Sequence, residues 1–263
     1  MRAWLSLLAL ASFCACTSMQ RPLDLRTAEL VDLTWPFDEK TLYWPSSPSG
    51  FELEQLASGQ TEAGYFYSAY AFCTAEHGGT HLDAPIHFAA NGRTADQIPL
   101  RQLIAPAVVI DVASRAAADR DYRLTRADVL AWEARHGRIE AGSVILLRTG
   151  WGARWPDRKA YFGDDAPGVT ENLHFPSYGE EAARFLVAER RVAALGVDTA
   201  SIDYGQSRDF IVHRVASEAN VPGFENVASL ERLPARGAWV FALPMKIGGG
   251  SGAPLRIVAA VPP

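Results

Sequence analysis

Apolar positions along this chain recur in two rhythms, and together they predict its strands and helices. Ala105 to Val112 and Ser143 to Arg148 are nearly continuous apolar runs with β-branched residues, the pattern of strands covered on both faces. Val192 to Val197 reads the same way and ends in Asp198. Glu29 to Trp35 alternates as a half-buried strand does, and Gly64 to Phe72 is aromatic and strand-like. Gly237 to Leu243 and Leu255 to Val261 predict a closing strand pair joined through Met245 to Gly252. The clearest helix runs from Thr125 to His136: Thr125 is placed to cap it, Asp128 stands at its third position, and Gly137 ends it. A second amphipathic helix is predicted from Tyr178 to Arg190, with Ala182, Phe185, Leu186 and Glu189 at helical spacing. Pro36 to Gly50 is rich in proline and serine and reads as a loop. Strands and helices mix without strict alternation, which predicts an α/β or α+β fold around a mixed sheet. No repeat or linker divides residues 28–263, so one domain is expected there.

Composition narrows the classes of function. A chain of 263 residues with 48% hydrophobic and 21% charged residues can bury a substantial core and is ordinary for a soluble globular protein. Its net charge of −5, without a basic stripe, gives nucleic acid nothing to hold. Residues 1–15 carry Arg2 and then an apolar or small stretch too short to span a bilayer, which reads as an export signal. Phe13-Cys14-Ala15-Cys16 resembles a lipoprotein cleavage site, with Cys16 as the lipidated residue and simple cleavage after Ala15 as the alternative. A periplasmic protein, tethered through 16–27 and touching a membrane only by that lipid, is the expectation. Past Cys16 a single cysteine remains, Cys73, so no disulfide within that chain is available; its apolar neighbours predict a buried residue.

Chemistry concentrates between His77 and His87, a run that spends three of the six histidines and a carboxylate within eleven residues. Nitrogen and oxygen ligands at short spacing, without cysteine, suit a borderline or hard divalent cation such as zinc or manganese. Gly78, Gly79 and Pro85 argue against a helix, so the run is expected on a turn entering a short extended piece. There His81 and Asp83 project from the same side, and His87, beyond the proline, faces the same space without necessarily binding the metal. Further ligands must come from elsewhere. Glu225, between Phe224 and Asn226 in an apolar segment, is costly unless paired or metal-bound, and His213 lies twelve residues before it. His136 suits the end of a helix, His174 fits a solvated or substrate-facing loop, and Asp198 and Asp203 fit loop fixing better than substrate binding. Trp44, Phe88 and Trp151 are stacking surfaces for an aromatic ring or else core residues. The run Gly248 to Gly252 lacks a phosphate-loop ending and reads as a tight turn.

His77-Gly-Gly-Thr-His81-Leu-Asp83-Ala-Pro-Ile-His87 resembles the signature of the metal-dependent cyclase-like hydrolases, which include bacterial kynurenine formamidases and isatin hydrolases. The resemblance continues through Leu147 to Trp151, Gly196 to Asp203, His213, Glu225-Asn226 and Leu243 to Gly252. It implies a compact α/β domain of β/β/α, swivelling type, usually dimeric. It also implies that His77, His81 and Asp83 hold one metal, that Asp83 bridges to a second held by His213 and Glu225, and that His87 moves the proton. The activity so implied is hydrolysis of a C–N amide bond in a small aromatic amide. N-formylkynurenine is the first expected substrate and a cyclic amide such as isatin the alternative; a metal-binding lipoprotein without turnover is a third reading. An export signal departs from the formamidase pattern and bears on the substrate more than on the chemistry.

Overall fold

Which face each strand buries decides where the chemistry can sit. The computed structural model describes residues 23–263; the export segment 1–15, Cys16 and the first part of the tether lie outside the described residues. The described residues form twelve strands, β1 (Glu29–Asp32), β2 (Glu52–Gln60), β3 (Phe66–Cys73), β4 (His81–Asp83), β5 (Ile104–Asp111), β6 (Arg123–Leu124), β7 (Val144–Arg148), β8 (Ser177–Tyr178), β9 (Ala194–Val197), β10 (Gly223–Glu225), β11 (Arg236–Pro244) and β12 (Gly252–Val261). The helices are α1 (Leu100–Leu103), α2 (Ala113–Ala118), α3 (Arg126–His136), α4 (Arg158–Phe162), α5 (Glu180–Arg184) and α6 (Ile211–Glu218), and a π-helical turn, Phe185–Arg190, continues α5.

Eight strands form one mixed sheet in the order β1-β12-β11-β5-β7-β9-β10-β4. Strands β5, β7, β9 and β10 run parallel, while β11, β12 and β1 are antiparallel to their neighbours. Strand β4 pairs antiparallel with β10 and also with the start of β12, so the sheet closes on itself like a barrel. The continuous apolar runs follow from this geometry. Ala107, Val109, Val144 and Leu146 point into the barrel with Leu82, Phe224, Val240 and Ile257. Their neighbours Val108, Ile110, Ile145 and Leu147 point outward under α3, α5 and α6, against Trp132, Leu186 and Val215. Both faces of the parallel strands are therefore dry, and no polar alternation survives in them.

Local chemistry set α3 as expected. The Thr125 hydroxyl accepts from the Asp128 backbone N–H at 3.1 Å, the Asp128 carboxylate accepts from the Thr125 N–H at 2.9 Å, and Gly137 ends the helix at φ 84°. One expectation needs correction. Strands β2 and β3 pair only with each other, forming a hairpin that stands off the barrel. Cys73, at its root, is exposed rather than buried, because no second layer covers the hairpin. Trp151 is buried in a small core with Tyr161 and Phe175 and donates its indole N–H to the Tyr161 carbonyl, so it offers no surface to a ligand.

Candidate metal centre

Alternation along β4 and β10 divides core from chemistry. Leu82 and Phe224 enter the barrel, while His81, Asp83 and Glu225 project from its outer wall, where His81 lies opposite Glu225 in register. Helix α6 packs over this wall and delivers His213. The helix was not legible in the sequence, since Ile211, Val212 and Val215 are β-branched and no capping residue precedes it locally. Its first turn is held instead from a distance: the Asp203 carboxylate accepts from the Val212 N–H at 3.1 Å and the His213 N–H at 3.0 Å.

His77, His81, Asp83, His87, His213 and Glu225 all line one cavity of about 390 Å³. Asp83 stands at its centre. One carboxylate oxygen faces His77 Nδ1 at 2.6 Å and His81 Nε2 at 3.2 Å; the other faces His213 Nε2 at 3.0 Å. Glu225 faces His213 Nε2 at 3.1 Å and His81 Nε2 at 3.5 Å, and accepts the Ile202 N–H at 2.8 Å. His87 stacks on His77 with centroids 3.9 Å apart, and its ligand atoms also come within reach of a cation shared with His77 and Asp83.

The far sides of His77, His81 and His213 are fixed. His81 Nδ1 donates to the Gly79 carbonyl at 3.0 Å, and His213 Nδ1 donates to Asp203 at 2.7 Å. Ser251 Oγ lies 2.9 Å from His77 Nε2 and itself donates to Glu76 at 2.6 Å. In the neutral ring each remaining nitrogen turns a lone pair toward carboxylate oxygens, an arrangement that repels unless positive charge lies between. No lysine or arginine lines the cavity among the described residues. Burial, then the charge of Asp83, pushes Glu225 up; burial opposes ionisation of Asp83 too, but the His77 charge and the imidazole hydrogen bonds hold it well below the usual range. Burial lowers His81, yet its hydrogen bond to Asp83 and the charges of Asp83 and Glu225 outweigh that and raise it to about 9. His213 is raised well above its usual range, burial being outweighed by Asp203, Asp83 and Glu225. The site draws positive charge into itself, as protons on imidazoles or as cations, and its nitrogen and oxygen donors fit divalent metal.

Trp44, Phe88, Phe162 and Phe210 supply apolar walls to the same cavity. His174 is elsewhere, bound to Asp121 at 2.8 Å, and His136 packs on Trp132 at the end of α3. Asp198 fixes a loop by accepting from Thr149 and Gly150. Glu76 and Ser251 were missed, although a carboxylate directly before His77 was a visible signal.

The family model described as a cyclase matches residues 31–204. The chain is 36% identical over 208 residues to an isatin hydrolase of Roseibium aggregatum, covering 76% of this chain and 77% of the relative. The chain belongs to the cyclase family of metal-dependent hydrolases. A second cyclase-family relative, a kynurenine formamidase of Salinibacter ruber, is 25% identical over 87% of this chain and 96% of its own. A solved isatin hydrolase bound to the product analogue thioisatinate superposes with a TM-score of 0.82 at 31% identity, covering 90% of this chain and 94% of that one. The α/β fold and the hydrolase class expected from the signature are therefore both present.

Proposed function

We propose that this cyclase-family hydrolase opens the ring of a cyclic aromatic amide of isatin type, with formamidase action on N-formylkynurenine as the second reading. The observation that carries it is the pairing of greater similarity to an isatin hydrolase with a cavity walled by Trp44, Phe88, Phe162 and Phe210. At about 390 Å³ the cavity lies toward the small end of ligand pockets, which suits a compact flat ring. His77, His81 and Asp83 would hold one divalent ion, and Asp83, His213 and Glu225 a second, zinc and manganese both suiting these donors. Such ions supply Lewis acidity at the amide carbonyl and lower the pKa of water.

The chain's own groups do the rest. The aromatic walls hold the ring so that its carbonyl faces Asp83 and His87 while bulk water is displaced. Water oxygen bonds to the carbonyl carbon, the C–N bond breaks, and the nitrogen gains a proton. Partial loss of hydration, opposed by the Asp83 charge, lowers His87 to about 4, so its ring is neutral at pH 7 with a nitrogen free to accept a proton and pass it to the leaving nitrogen. The acid formed ionises, so one proton is released per turnover. The test is to strip the purified protein with chelator, restore zinc or manganese, and assay isatin and N-formylkynurenine. Metal-dependent opening of isatin at the higher kcat/KM is expected; preference for N-formylkynurenine overturns the substrate, and full activity after stripping overturns the site.

The apolar segment 3–15 and Cys16 support a periplasmic, lipid-anchored enzyme. A second copy of the chain is the proposed partner.

A further inference from the structure

The glycine-rich run at the start of β12 is packed against the site rather than turning freely in solvent. A Cβ on Gly252 would stand 2.5 Å from His77 Cε1 and 2.7 Å from the Leu82 carbonyl oxygen, and one on Gly250 would stand 2.7 Å from a Glu76 carboxylate oxygen. At Gly252 only glycine lets the backbone lie so close to the imidazole and the Leu82 carbonyl, and at Gly250 a Cβ would push the Glu76 carboxylate aside. Between the two glycines, Ser251 faces both partners. Its N–H and its hydroxyl both donate to one Glu76 oxygen, at 3.0 and 2.6 Å. With the hydroxyl proton given to Glu76, only oxygen lone pairs remain for His77 Nε2 at 2.9 Å, and that nitrogen must be the donor.

We propose that Gly250, Ser251, Gly252 and Glu76 form a clamp that keeps the His77 proton on Nε2 and so presents Nδ1 to the metal beside Asp83. This rests on the reading of His77 as a ligand. Ser251 and Glu76 are positioning residues; neither lines the cavity. The clamp differs from those on the other two imidazoles, where a carbonyl or a carboxylate accepts directly. Here a neutral hydroxyl relays the carboxylate, and the relay has a direction because Glu76 can only accept.

The experiment compares the purified wild-type protein with Ser251→Ala, Glu76→Ala and Glu76→Gln. Long-range 1H–15N correlation of the metal-free proteins reads the His77 tautomer, and competition against a chelating dye reads zinc affinity. Wild type should carry a proton on Nε2; without metal, Nδ1 beside Asp83 can carry one too. Ser251→Ala should move the proton to Nδ1, facing Asp83, and weaken zinc 10–100-fold, the usual effect of losing such a support. Glu76→Gln keeps an oxygen to accept from Ser251 and should stay near wild type, whereas Glu76→Ala should follow Ser251→Ala. An unchanged tautomer and affinity in Ser251→Ala, or equal damage from Glu76→Gln and Glu76→Ala, overturns the proposal. If Ser251→Ala does not fold, the two Glu76 variants carry the same comparison. Should wild type take up no zinc, the metal reading fails and the tautomer measurement alone decides the clamp.

Discussion

His87 differs from the other two histidines of its run in how little holds it. His77 and His81 are fixed through both ring nitrogens, whereas His87 is kept in place by its stack on His77 and by the Phe88 ring at 4.5 Å, with its edge open to solvent. A group that must take up and release a proton needs that freedom. His87→Ala should therefore keep the metal content of wild type while kcat falls by about 10²–10⁴, the usual worth of a general base. Metal analysis beside steady-state kinetics checks it: lost metal would make His87 a ligand, and an unchanged rate would leave the proton to another group. At this scale much of the site was legible, because His81 and Asp83 stand two apart on an extended segment and so share a face. Glu225 was legible from cost, being an acid amid apolar neighbours. Asp203 and Ser251 were not, since their use depends on which residues the fold brings beside them, and a serine among glycines looks the same in any surface turn.

Elements were legible where their hydrogen bonds close locally. Helix α3 carries its own capping box and stop, and the buried strands carry their own apolar runs. Helix α6 and strand β10 escaped detection because each is short and depends on distant partners, Asp203 for one and the pairings with β4 and β9 for the other. The same dependence joins α3 to the π-helical turn after α5. Arg190, stacked over Phe185, donates to Glu133 at 2.6 and 2.8 Å, and both side chains are at most 10% exposed. The Arg190 hydrogen bond holds the Glu133 carboxyl below its usual value. A carboxyl depressed in the folded state adds stability above its unfolded pKa of about 4.3, and that stability drains away as pH falls through the lower folded value. Glu133→Gln should lower stability by about 1 kcal/mol at pH 7, since Arg190 is left charged with a weaker acceptor, and should flatten the loss of stability below pH 4–5. Urea titrations across pH 3–7 on both proteins measure this. Parallel pH profiles would show that the pair contributes nothing.

The closed barrel leaves one part of the molecule unexplained by its own packing. Hairpin β2–β3 carries Leu53, Leu56, Phe66, Tyr67, Tyr70 and Phe72, with Tyr65 beside it, each 48–61% exposed. A lone hairpin with both faces uncovered is marginal in water, and exposed apolar side chains in this number call for a cover. The occupant expected is a second copy. Phe66, Tyr70 and Phe72 alternate onto one face of β3 with Leu53 opposite Phe72, an apolar face that a second copy can cover. Few charges interrupt the patch, and a self-complementary apolar face needs none. The hairpin also leads through Thr74, hydrogen-bonded to Tyr43 at 2.5 Å, into Glu76 and His77, so covering it would steady the segment that carries the site. Light scattering after size exclusion should give twice the chain mass for wild type at micromolar concentration. Leu53→Glu with Phe66→Glu should give a monomer that keeps its secondary structure, because neither side chain belongs to the barrel cores. A monomeric wild type, or a double variant that stays dimeric, would return the hairpin to some other partner.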